Sequence, residues 1–287
     1  AFQKYLKGLG VDSAILDYKS KHFGDLRLDN MAVSAIKSKA SIAAIILAIL
    51  NTPSYRRKYK AFHIFYKQNC IMDDNNGKPY TYDDFNNTTL SFDYPIVVCE
   101  SDVIWSPKTS NGFDRVFFCA YKCFEGKTKV AYAPSISNTH LSAEQEKEFK
   151  RLVANFDYLS AREWQTAEYV SKLTNRECAH VLDPVMLLEE RDYEPYFEPQ
   201  KYRNYLLVYN VMRNDRKMLA FAKKVAKEKG LIFIEISDNT INKFFHKTLT
   251  GRSIGEFLWL IKNADFLITN GFHGACFAIV FKKEFLI

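Results

Sequence analysis

The chain has 287 residues, 47% of them hydrophobic and 15% aromatic, with a formal net charge of +7 and a pI near 8.9. That composition fills two globular cores of ordinary size and excludes a disordered or fibrous polymer. The 40 Lys and Arg are scattered among 33 acidic residues and no basic run exceeds Arg56-Arg57-Lys58. This excludes a nucleic-acid patch and leaves anionic small molecules or an anionic surface as suitable partners.

In chain order, FQKYLKGLG reads as a helix closed by Gly8 and Gly10, and VDSAILDY as the strand after it. The opening residues look like the second half of a helix and the closing EFLI like a strand, so further sequence is expected at both ends. Residues 31–68 form a helical insertion, whose SIAAIILAIL (41–50) is flanked by Lys37 and Lys39 before it and Arg56, Arg57 and Lys58 after it. A spanning helix needs about 20 apolar residues, so this run is too short. It is expected to be a helix covered by protein, the alternative being peripheral contact of 31–60 with a membrane surface. MDDNNGKPYTYDDFNN (72–87) predicts a loop turning at Asn76-Gly77.

Three strands follow, YPIVVCE (94–100), VAYAPS (130–135) and FDYLSARE (156–163), the last leading into helix QTAEYVSKL. Strand alternation puts Ser160 and Arg162 on one side. The acidic, proline-bearing LEERDYEPYFEPQKY (188–202) reads as a linker. Beyond it, NYLLVYNV, an Ala- and Lys-rich helix ending at Gly230, LIFIEIS, SIGEFLWLIKNA and ADFLIT give a βαβαβ succession, which predicts a parallel sheet with helices on both faces. ACFAIVF (275–281) is the next helix, and Gly271 and Gly274 bracket the turn that carries His273. The predicted fold is therefore α/β with two doubly wound parallel-sheet, Rossmann-like domains, 1–195 and 196–287. The cysteines, at 70, 99, 119, 123, 178 and 276, contain no CxxC pair, so the chain reads as a reduced cytoplasmic protein with no metal site.

TNGFHGACFAIVFKKEFLI (269–287) resembles the signature of the polysaccharide pyruvyl transferases, in which a strand ends in a Thr-Asp-Ser-Phe-His-Gly or Ser-Arg-Leu-His-Gly turn. VVCESDVIWSPKTSNGFDRVFF (97–118) is similar to the family's Gly-Ser-Asp-Gln-Val-Trp-Asn-Pro block. KVAYAPSIS (129–137) is similar to its Ala-Tyr-Ala-Ala-Ser strand, and LSARE with VLDPVMLL to its Ser-Val-Arg-Glu and Leu-Asp-Pro-Thr elements. The departures are Glu100 for Gly, Val103 for Gln, Ile254-Gly255 for Ser-Pro, and Asn270-Gly271, which puts Gly where some members carry a donor-holding Arg.

The resemblance implies a GT-B-like pair of domains facing across a cleft, acceptor side first and donor side second. The implied reaction forms a pyruvate ketal on a sugar diol of a surface-polysaccharide intermediate carried on lipid. Phosphoenolpyruvate is the co-substrate, with no cofactor or metal, at the cytoplasmic face of the membrane. His273 and Asp102 are the catalytic candidates. His273 is read as the proton carrier rather than a packing histidine, and Asp102 as a general base or acceptor ligand, with a turn-forming Asx residue the equal alternative. Arg162, Ser160, Asn270 and the N–H groups of Gly274 and Ala275 are the donor candidates, since a phosphate and a carboxylate need a planar cation and a helix start. The rival for Arg162 is a surface ion pair with Glu163. Ser101, Asp102 and Ser135 are the acceptor candidates. Trp105, Phe113 and Phe117 are expected in the core, and His140 and His180 are structural. Two other functions compete: a GT-B glycosyltransferase, for which Glu235 would have to bind the ribose of a nucleotide sugar, and a non-catalytic binding member of the family.

Overall fold

The computed structural model describes residues 1–20, 41–108, 112–137, 140–211 and 215–287. Its contacts divide the chain into two compact units. The first holds Ala1–Ser13, the described residues of Leu26–Ile71, and Val185–Ile287; the second holds the described residues of Ala14–Asp25 and Met72–Pro184. The N-terminal helix Phe2–Gly8 and the insertion thus group with the C-terminal residues, whereas the sequence division placed them with 72–195.

In the second unit, Ile15–Leu16 (β1) and Tyr18–Lys19 (β2) pair in parallel with Met72–Asp73 (β3) and Tyr80–Thr81 (β4). Between β3 and β4 the chain turns at Asn76-Gly77, both with positive φ (55° and 79°), a conformation Asn and Gly tolerate best. Ile96–Glu100 (β5), Thr128–Tyr132 (β6), Tyr158–Ala161 (β7) and Ala179–His180 (β8) then form a parallel sheet in sequential order. Helix Ala143–Val153 begins at a reciprocal cap between Ser142 and Gln145 and buries Phe149, Leu152 and Val153, one stripe of its surface. Trp105 is fully buried, stacked on Phe118 at 5.8 Å, with Phe113 and Phe117 partly buried against the same core.

In the first unit, Tyr205–Tyr209 (β9), Ile232–Ile236 (β10), Thr248–Leu249 (β11), Phe266–Thr269 (β12) and Phe285–Leu286 (β13) form an all-parallel sheet in the order β11-β10-β9-β12-β13. The apolar run YLLVY in β9 alternates its faces. Leu206 and Val208 pack with Ala222 and Ala226 of helix Arg216–Glu228, and Tyr205 and Leu207 pack with helices Ile254–Lys262 and Phe272–Val280. A strand buried on both faces has to be apolar throughout, and this one is. The strand order reverses direction between β9 and β12, and in such sheets the crevice beyond the carboxyl ends at that reversal is the standard ligand site.

Residues 188–202 are not a free connector. Helix Glu190–Tyr193 buries Tyr193 edge-on against Phe277 and Phe281, at 5.3 and 5.9 Å. The acidic composition hid aromatic anchors that add to the core.

The insertion, of which 31–40 lies outside the described residues, contains one helix, Ile42–Asn69, that continues through Pro53. It buries only Ala48, Asn51 and Tyr55. Asn51 Oδ1 accepts from Thr240 N at 2.9 Å, Arg57 pairs with Glu256 at 2.7 Å, and Lys58 with Asp238 at 3.1 Å. Gly251 lies so close to the helix that a Cβ on it would meet Ser54 O at 2.5 Å. Burial of this run within the chain itself is not what is found, because Ile42, Ile46, Ile49 and Leu50 are exposed; a partner and a membrane surface are the two coverings left. Among the described residues no helix is long and apolar enough to cross a membrane.

Candidate active site

The carboxyl ends of β9 and β12 carry the first group of residues. Thr269, fully buried, donates from Oγ1 to Tyr209 O at 3.0 Å and accepts from Gly271 N at 3.0 Å, which locks the end of β12 to the end of β9. Asn270 continues the lock: its Oδ1 accepts from Val211 N at 2.8 Å and its Nδ2 donates to Asn210 Oδ1 at 3.0 Å. Asn270 therefore holds the two strand ends in register, with both ends of its amide engaged.

Helix Phe272–Val280 starts immediately afterwards, with Gly271 at its N-cap, no capping side chain and no acid in its first turn. A Cβ on Gly274 would meet Thr269 Oγ1 at 2.5 Å and Tyr209 Cδ1 at 2.8 Å. The glycine after His273 is a packing requirement, because only a bare Cα lets the helix start approach the strand end. Gly271 is constrained likewise, since a Cβ there would meet Val211 Cγ2 at 2.5 Å. A side chain at that position would first have to displace Val211. His273 lies half-buried in the first turn of this helix rather than before it, with its ring edge-on to Phe272 at 5.4 Å. Ala275 N donates to Gly271 O at 3.2 Å, so it closes the first helical turn. The N–H of Ala275 is thus engaged within the helix, unlike the sequence expectation that it faces a donor.

Buried beside these strand ends is Glu235, which is fully inaccessible. Its carboxylate accepts from Asn242 Nδ2 at 3.1 and 3.0 Å and from Thr248 Oγ1 at 3.1 Å, and lies 2.7 Å from His246 Nε2. A ribose could not reach it, so the one residue offered for a nucleotide sugar is a structural anchor of β10 and β11.

The second group stands at the carboxyl ends of β5 to β8. Ser101 and Asp102 both adopt left-handed backbone, with φ 44° and 55°, as do Ala133 and Ser137 after β6, with φ 57° and 64°. Non-glycine residues held there cost of order 1–3 kcal/mol each, and such strain concentrates at functional sites. The turn is fixed by Ser101 N donating to Tyr132 O and Ser135 N donating to Asp102 O, both at 2.8 Å. Ser101 Oγ donates to Asp183 Oδ2 at 2.6 Å. Asp102 is exposed, and its Oδ1 accepts from Val103 N at 2.7 Å. Ser135 is buried, its Oγ accepting from Ser137 N at 3.0 Å. Ser160 Oγ donates to Ala131 O at 2.8 Å and accepts from Ala133 N at 3.1 Å, tying β7 to the strained end of β6.

Arg162 is buried, not a surface residue. Its Nη1 donates to Asp183 Oδ2 at 3.2 Å and its Nε to Glu163 Oε1 at 2.9 Å. Asp183 is as buried as the arginine, whereas Glu163 is about a third exposed. Asp183 escaped the sequence reading although it lies in VLDPVMLL, because nothing local marks an aspartate whose partners are 82 and 21 residues away.

The family model for polysaccharide pyruvyl transferase matches residues 1–287. The chain belongs to the polysaccharide pyruvyl transferase family. A comparison with curated proteins finds no match. Family membership gives pyruvyl transfer onto a polysaccharide as the activity class and a saccharide as the acceptor. In this polysaccharide pyruvyl transferase family member, the His273 turn and the Ser101–Asp102 turn each lie at the carboxyl edge of their own parallel sheet, where ligand sites of α/β proteins form.

Proposed function

We propose that the chain transfers the pyruvyl group of phosphoenolpyruvate onto two hydroxyls of a saccharide, forming a pyruvate ketal on a lipid-linked intermediate of surface-polysaccharide assembly in the bacterial cytoplasm. The observation that carries the reading is His273 in the first turn of an uncapped, acid-free helix at the strand-order reversal of its sheet. A helix start favours a phosphate or carboxylate, and an imidazole within one turn of it is a side chain able to give or take a proton.

The proposed step balances as follows. The methylene carbon of the donor gains a proton and becomes a methyl group, the neighbouring carbon forms two C–O bonds to the acceptor hydroxyls, and the C–O bond to phosphate breaks. Of the two hydroxyl protons, one is matched by the proton on carbon and the other leaves with phosphate. His273 serves this proton traffic, and the helix start at Gly274 holds the donor anion. Asp102 receives an acceptor hydroxyl, supported by Ser101 and Ser135. Arg162 meets the donor in this scheme by exchanging Glu163 for it while keeping Asp183, because Glu163 is the more accessible partner. Ser160 and Asn270 act by holding strand ends. A GT-B-like pairing of the two units across a cleft is part of the proposal and comes from the family resemblance.

Mass spectrometry of the protein incubated with phosphoenolpyruvate and a panel of lipid-linked and nucleotide-linked saccharides tests this. A gain of pyruvate less water, with phosphate released, is the expected result. Phosphoenolpyruvate binding without any product would make the chain a non-catalytic member. A rise in melting temperature with a nucleotide sugar and none with phosphoenolpyruvate would overturn the donor assignment.

A further inference from the structure

The helix Ile42–Asn69 holds six basic residues or histidines, Arg56, Arg57, Lys58, Lys60, His63 and Lys67, and no Asp or Glu at all. Its character changes along its axis. The first three turns, IAAIILAIL, are apolar, and the basic residues follow Pro53. The buried positions Ala48, Asn51 and Tyr55 lie on one stripe, and the exposed Ile42, Ile46, Ile49 and Leu50 lie on the opposite one, at helical spacing. Ile42 is 78% exposed.

A second apolar feature is joined to this helix. The turn Thr240–Phe244 is fastened to it through Asn51, which accepts from both Thr240 N and Thr240 Oγ1. That turn ends in adjacent Phe244 and Phe245, 84% and 73% exposed, between the exposed cations Lys243 and Lys247. Two neighbouring phenylalanines that bury almost nothing in their own fold add no folding energy, so their apolar area is open to a partner.

We propose that the first three turns of helix Ile42–Asn69, together with Phe244 and Phe245, form a docking surface for an anionic lipid bilayer. The apolar side chains enter the acyl boundary while Arg56, Lys60, Lys243 and Lys247 meet the headgroups. Charge selects this occupant over a second copy of the chain. Arg57 and Lys58 are paired with Glu256 and Asp238. Self-association through this surface would still set the exposed Arg56, Lys60, Lys243 and Lys247 of two copies against each other, whereas an anionic surface meets them all. The inference does not rest on the reaction proposed above.

The test is co-sedimentation of the full chain with vesicles of phosphatidylcholine alone or mixed with phosphatidylglycerol, at low and high salt. The expected result is binding to the anionic vesicles, weakened by salt, and little binding to the neutral ones. The pair Ile46→Glu with Ile49→Glu, and separately Phe244→Ser with Phe245→Ser, should each lower anionic binding by about tenfold or more, and Arg56→Glu with Lys60→Glu should lower it as well. All six positions are exposed, so each variant should keep the parent melting temperature, which checks that lost binding is not lost folding. Binding that ignores lipid charge, or anionic binding untouched by the Ile and Phe variants, would overturn the proposal. So would a dimer in sedimentation equilibrium that Ile46→Glu with Ile49→Glu dissociates while no vesicle binding is seen.

Discussion

The carboxyl edges of the two sheets are built on the same parallel scaffold and are chemically opposite. At β12, beside the end of β9, the chain leaves the sheet through Gly271 into a helix start with Gly274 in its first turn and no acid there. At β5 to β8 it leaves through left-handed, non-glycine residues that present hydroxyls and carboxylates, with Asp183 held by Ser101 and Arg162. The first edge offers partial positive charge at close approach, which suits a phosphate or carboxylate. The second offers acceptors for hydroxyl groups, which suits a sugar. The strand scaffold is neutral in this; the residue type in the first few positions after each strand decides which ligand an edge attracts.

The sharpest way to break the contrast is His273→Ala. If the first edge performs proton transfer, turnover should fall by about 10²–10⁴-fold while the melting temperature stays within a few degrees, because a half-buried ring in a helical first turn loses few contacts. A well-folded variant with normal turnover would remove His273 from the chemistry. Arg162→Ala probes the second edge. It removes the buried guanidinium that donates to Asp183 and should lower stability by roughly 3–5 kcal/mol, measured by denaturant unfolding. Arg162→Lys should recover only part, since a point charge cannot span two carboxylates. Adding Asp183→Asn to Arg162→Ala should recover much of the loss. A purely donor-facing arginine would instead lose phosphoenolpyruvate affinity in calorimetry at unchanged stability.

Gly274→Ala should cost roughly 1–3 kcal/mol, because the added carbon lands 2.5 Å from Thr269 Oγ1, and it should weaken phosphoenolpyruvate binding as the helix start is pushed off the strand end. Parent stability and affinity in this variant would show that the close approach is dispensable. The smallest effect is alkaline. Burial pushes the Cys119 and Cys178 thiols up to about 12 from an ordinary value of 9.0. In the folded protein they stay protonated, while the unfolded chain loses those protons above pH 9. Their contribution is therefore complete below pH 9 and is lost as pH rises toward 12, by at most about 1.4 kcal/mol per pH unit for each thiol. Unfolding midpoints at pH 8 and pH 10 measure this, and Cys119→Ala should flatten the dependence; an unchanged slope would place its ionisation elsewhere.

The elements of the first unit were legible because their signals are local. YLLVY, IFIEI and FLIT are short apolar runs, and Ser253 with Glu256 forms a reciprocal cap readable three residues apart. The turn at Asn76-Gly77 was legible for the same reason. The two-residue strands β8 and β11 were not, since two residues carry no period, whereas β13 falls in EFLI, which reads as a strand. Tyr193 was misread within an acidic, proline-bearing stretch, because composition reports average polarity and the core is chosen residue by residue.

The sequence by itself determined the α/β class, the parallel succession after residue 204, the His273 turn and the family it resembles, all from the order of locally readable blocks. Only the tertiary structure decided that the insertion groups with the C-terminal sheet, that Arg162 faces Asp183, that Glu235 is sealed in, and that the isoleucines of helix Ile42–Asn69 stay uncovered. The first two depend on partners distant in the chain, Arg57 with Glu256 and Arg162 with Asp183, and the last two on how much of each side chain the assembled elements cover. Local periodicity records which face of an element is apolar and says nothing of which distant side chain will meet it.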